Sequence, residues 1–114
     1  MKADVLLDLF FGDCSLAERV GHIAEAGWDG VETWKGGDSS ELNEIGDACR
    51  QHGIEFVSIV LNSPGDPTAA PIDPEKHSAF LEQVDRFSDN ALAAGCTAGI
   101  VTTGNRNGQD YYVH

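Results

Sequence analysis

Cations are scarce in this sequence. Lys and Arg together number seven against nineteen Asp and Glu, a net charge of −12 over 114 residues. Phosphate backbones and anionic bilayers repel such a surface, so nucleic acid and membrane are not expected as partners. Cysteine is sparse as well. Cys14, Cys49 and Cys96 are odd in number, far apart and without a CxxC pair, which excludes a disulfide framework and a zinc ribbon. No apolar run approaches the roughly 18 residues that cross a bilayer. The N-terminal run Val5-Leu6-Leu7 is cut by Asp8, which makes a poor signal peptide. A cytoplasmic protein with reduced thiols is the expectation. Only three of the cations are Lys, and Asp outnumbers Glu 11 to 8. A Lys-poor, Asp-rich surface suits concentrated salt, where screening mutes self-repulsion, so salt adaptation (a halophilic source) is expected too.

Hydrophobic residues make up 41% of the chain, enough for one packed core, and the length fits a single domain, residues 1–114. Short β-rich runs alternate with helical patterns. A strand is expected over residues 4–10. Ser15 and Glu18 then form a capping box, followed by Leu16, Val20, Ile23 and Ala24 at helical spacing, with Gly27 as the stop. A second strand follows over 30–34. Asp38, Ser39 and Ser40 offer caps to a second helix whose buried stripe is Leu42, Ile45, Ala48 and Cys49, and Gly53 ends it. The run 54–61 is apolar on both faces, as in a parallel strand covered by helices. A proline-rich loop over 62–73 leads to Asp73-Pro74 at the start of a third helix. Phe80, Val84, Phe87 and Ala91 mark its inner face and Gly95 its end. A last strand is expected over 98–103, with a tail from Gly104.

The order β-α-β-α-β-α-β implies an α/β fold with a parallel sheet and right-handed crossovers. Two architectures fit: a flavodoxin-like sheet, or the N-terminal half of a TIM (β/α)8 barrel. Both place their chemistry at the strand C-termini, here residues 10–14, 32–37, 62–66 and 102–108. A receiver-type phosphoacceptor site does not fit. The third strand ends in Asn62 instead of Asp, and no Lys follows Lys76 to stabilise a transferring phosphoryl group.

Glu32 is the sharpest candidate. A carboxylate at a strand end holds a substrate hydroxyl, binds a metal or moves a proton beside a carbonyl, or else pairs with a neighbouring strand. Asn62 offers a donor and an acceptor to a polyhydroxy ligand, or opens the proline loop as an Asx-turn. Thr102, Thr103 and Asn105 supply two hydroxyls and an amide beside Gly104. Trp34 reads as rim or core packing before it reads as a substrate wall. Asp4 and Asp8 share a strand face, with Asp8 aimed toward a polar interior. His22, His52 and His77 fall on helix surfaces, Cys14 reads as an inert thiol, and no metal-ligand spacing is present.

The stretch Leu16 to Trp34, with Ala26-Gly27-Trp28-Asp29-Gly30-Val31-Glu32 at its end, resembles the hydroxypyruvate isomerase and sugar-phosphate isomerase/epimerase family, which has the xylose isomerase-like TIM-barrel fold. Ile100-Val101-Thr102-Thr103-Gly104-Asn105 is similar to its fourth strand. The resemblance spans the chain and roughly the N-terminal half of a barrel. It implies isomerisation of a small hydroxy-carbonyl or sugar compound, by proton transfer through an enediolate. It further implies a divalent metal, Mg²⁺ or Mn²⁺. In the family the metal ligands and paired catalytic glutamates come from later strands, so none is assigned here. Glu32, Asn62, Thr102, Thr103 and Asn105 are left as substrate-facing residues. A half-barrel leaves open sheet edges and an uncovered inner face. The tail 109–114 looks like a fourth helix cut short, so a truncated or split form is expected, completed by a C-terminal half-barrel or by self-association. The alternative function is a non-catalytic homodimeric half-barrel that binds a polar small molecule.

Overall fold

A computed structural model describes residues 1–62 and 70–104. Four strands, β1 (Asp4–Leu6), β2 (Gly30–Thr33), β3 (Glu55–Val60) and β4 (Gly99–Ile100), alternate with α1 (Leu16–Glu25), α2 (Ser39–His52) and α3 (His77–Ala93). All three strand pairs are parallel and the sheet order is β1-β2-β3-β4. This order separates the two architectures. A flavodoxin-like sheet steps one way and then back, in the order 2-1-3-4-5, so its helices cover both faces. Here every crossover steps the same way. Right-handed connections then put all helices on one face, as the first half of a barrel requires. In keeping with this, α1 packs on α2 and α2 on α3.

The helix signals act as their chemistry dictates. The Ser15 side chain accepts from the Glu18 amide, and the Glu18 carboxylate accepts from the Ser15 amide at 2.8 Å. These bonds hold the Glu18 carboxyl below its ordinary value. Asp38 caps α2 by accepting from the Glu41 amide at 3.0 Å. Gly27, Gly53 and Gly95, all with positive φ, turn the chain out of each helix toward the next strand. Between the helices and the sheet lies one core. Val20 and Ile23, then Leu42, Ile45, Ala48 and Cys49, then Phe87 and Ala91, close over Val31, Phe56 and Ile59. Each large aliphatic side chain buried this way contributes about 1.5–3 kcal/mol.

Four expectations change. The first strand stops at Leu6, because residues Leu7–Leu9 tighten into a 3-10 turn that drives Leu7 completely into the core. The third helix begins as a 3-10 turn, Pro74–Lys76, capped by Asp73, and only Phe87 and Ala91 of its expected inner face are buried. Phe80 and Val84 are half-buried, because α3 has a helix on one flank only. The apolar β3 is not sandwiched between helices. One of its faces looks toward the helix-free side, and that face carries Ser58. The last strand is two residues long, because a side chain takes over its ladder at Thr102.

Candidate functional site

In β2 the side chains alternate, so Val31 in the core sends Glu32 to the opposite, helix-free face. On β1 its neighbour in register is Leu6. On β3 a regular ladder would set Val57 beside it. Val31 pairs with Phe56, but Glu32 pairs with Ser58, so Val57 is skipped as a one-residue bulge. Bulges re-aim side chains, and this one brings a hydroxyl to the carboxylate. Ser58, 5% exposed, donates from Oγ to Glu32 Oε1 at 2.7 Å. Among the described residues no cation pairs with Glu32. The carboxylate is half-buried, held by one neutral donor and uncompensated in charge.

The other strand ends are tied together by side chains. Asp8 sits in the turn after β1, away from the strand face expected for it. Its Oδ2 accepts from Thr33 Oγ1 at 2.9 Å and from the Trp34 amide at 3.0 Å, which joins the ends of β1 and β2. Lys35 pairs with Glu41 at 3.1 Å and joins the end of β2 to the first turn of α2. Asn62 is buried, with its side-chain amide N and O both engaged by the backbone of one residue, Thr102. Its Nδ2 donates to the Thr102 carbonyl at 2.9 Å, and its Oδ1 accepts from the Thr102 amide at 2.8 Å. Asn62 therefore acts as a clasp between the ends of β3 and β4.

Thr102 has the opposite character on its side chain. Its Oγ1 is buried and, alone among the buried side-chain polar atoms described, has no hydrogen-bond partner. Such a group costs about 1–3 kcal/mol, which a ligand hydroxyl or carbonyl would relieve. Thr103 is exposed beside it, and Asn105 lies outside the described residues. Trp34 is 48% exposed at the end of β2 instead of lying in the core.

Sequence reasoning missed Ser58, Asp8 as a clasp, and Thr33. Ser58 had one visible signal: it is the single polar residue in the run Phe56–Val60, two residues before the strand ends. His22, His52 and His77 are exposed, as expected, and His22 faces Glu25 at 3.6 Å. Cys49 and Cys96 are buried; burial pushes the Cys49 thiol up to about 12 and the Cys96 thiol upward as well. Among the described residues no three His, Cys, Asp or Glu side chains come together as a metal site. Glu32 with Ser58 is not by itself the donor set of the divalent ion that the resemblance implies. No described helix is long and apolar enough to cross a membrane.

No family model and no curated protein matches the sequence. The fold does match a solved structure, that of an AP endonuclease, family 2, from Brucella melitensis. The TM-score is 0.76 and the identity 26%, over 99% of this chain and 45% of that one. The chain therefore spans less than half the length of the structure it matches. The likeness supports the xylose isomerase-like TIM-barrel superfamily and a partial barrel within it. It does not single out the hydroxypyruvate isomerases.

Proposed function

We propose that the chain is the N-terminal half of a sugar-processing barrel that isomerises a small hydroxy-carbonyl or sugar compound, with Glu32, Thr102 and Thr103 facing the substrate. The observation that carries this reading is Glu32: a half-buried carboxylate at a strand C-terminus, fixed by the Ser58 hydroxyl at 2.7 Å on the helix-free face. Barrel enzymes place their reacting groups there. A carboxylate so held orients a substrate hydroxyl and accepts a proton from the carbon beside a carbonyl. The unsatisfied Thr102 Oγ1 is a ready partner for a substrate oxygen. Asn62 serves the same site indirectly, because it fixes the Thr102 backbone. The divalent metal of the isomerase family would need ligands beyond those described. The matched structure is titled an endonuclease, but a charge of −12 works against a phosphate backbone on this chain.

The test uses hydroxypyruvate and short ketoses with Mg²⁺ or Mn²⁺ in molar KCl, with amide signals read in ordinary water and turnover followed in heavy water. The expected result is shifted amide signals at Glu32, Thr102 and Thr103, with deuterium entering the carbon beside the carbonyl. Glu32→Gln is expected to slow that entry by about a hundredfold or more, the scale of a lost acid-base group. Incision of an abasic-site duplex with no response to any ketose would overturn the reading. Shifted signals without deuterium entry would identify the binding module instead.

A further inference from the structure

We propose that the open sheet closes against a second copy of this chain, giving an eight-stranded parallel barrel with a two-fold axis along the strands. The site then faces a shared interior carrying Glu32 and Thr102 from both copies. What that interior binds rests on the reading above; the closure itself does not. The argument starts at the two edges. Among the described strands β1 and β4 each have one neighbour, so each leaves a row of backbone donors and acceptors unpaired. Every pairing in the sheet is parallel, and closing it into a barrel of this fold continues that pairing at both edges. A copy turned by half a revolution about the strand direction does this twice. Its β1 meets β4, its β4 meets β1, and its helices stay outside. Four strands and four more make eight, the number at which this fold closes.

Of the ten exposed large apolar side chains among the described residues, five lie where such a seam would run. Ile100, the last residue of β4, and Val101 just past it are 45% and 47% exposed. Leu9, Phe10 and Phe11 are exposed just past β1. An isolated surface has no use for five such groups at its two edges, whereas a seam buries them. Charge sets the condition. Two copies each carry −12, so association must strengthen as salt screens their repulsion.

Light scattering on the folded chain in molar KCl tests the closure. The expected mass is twice the 12.2 kDa chain, falling toward one chain as salt is removed. Ile100→Lys is expected to give a monomer with its helix signal intact, since the side chain is nearly half exposed before any seam forms. Should that variant fail to fold, isotope-filtered spectra of a mixed wild-type sample replace it, with contacts expected between Ile100 of one copy and Val5 of the other. A folded monomer, an open-ended series of sizes, a dimer indifferent to Ile100→Lys, or a dimer without those contacts would overturn the proposal. So would a monomer that pairs only with a separately supplied half-barrel. A dimer that moves no proton refutes the isomerase reading alone, and a monomer that does so refutes the closure alone.

Discussion

Thr102 concentrates the tension in the site. Its backbone is doubly bonded to Asn62 while its hydroxyl is buried without a partner. Thr102→Val keeps the shape and removes the orphaned oxygen. The ligand-free protein is therefore expected to hold its stability or gain about 1 kcal/mol in urea unfolding. The same variant is expected to bind hydroxypyruvate several-fold more weakly. A loss of stability would mean that the hydroxyl has a structural partner. The thiols give a second test. Burial raises Cys49 to about 12 and also raises Cys96, so both thiols stay neutral at pH 7 and are shielded from reagent. Of the three cysteines, only half-exposed Cys14 is expected to react with a thiol reagent in the native protein, against three after unfolding.

Element by element, what was legible was what is local. Ser15 with Glu18, the stripe Leu42, Ile45, Ala48 and Cys49, and the stop at Gly53 are each decided within a few residues, and each stands as the sequence implies. What escaped depends on partners far along the chain. The Asn62 clasp joins residues forty apart, and the β3 bulge exists only in relation to β2. The turn at Leu7 wins over strand propensity because it buries a leucine completely. Gly46 belongs to the same class. A Cβ there would lie 2.2 Å from the Ala94 carbonyl oxygen, so glycine sets how closely α2 meets the end of α3. Gly46→Ala, a favourable change in an isolated helix, is expected to destabilise this protein by about 1–3 kcal/mol, read by thermal unfolding.

For the molecule as a whole, the parallel pairing follows from the β-α rhythm, but the one-sided helices, and with them the choice between flavodoxin-like sheet and barrel half, required the strand order itself. Strand order records which elements meet, and periodicity does not. The charge was legible outright, and its consequence is testable. With 19 acidic residues and 7 basic ones, self-repulsion opposes the compact state at low ionic strength. Circular dichroism is expected to show incomplete helix in dilute buffer and full helix in molar KCl. Complete folding without salt would refute salt adaptation.

The Asn62 clasp also turns one amide into a clock. The Thr102 N–H lies past the last residue of β4, where a hydrogen on an edge should trade with solvent quickly. Held by a buried side chain at 2.8 Å, it exchanges only when β3 and β4 part at that end. Its exchange rate therefore counts openings of the strand seam, and Asn62→Ala would bring that rate to the level of an unprotected peptide.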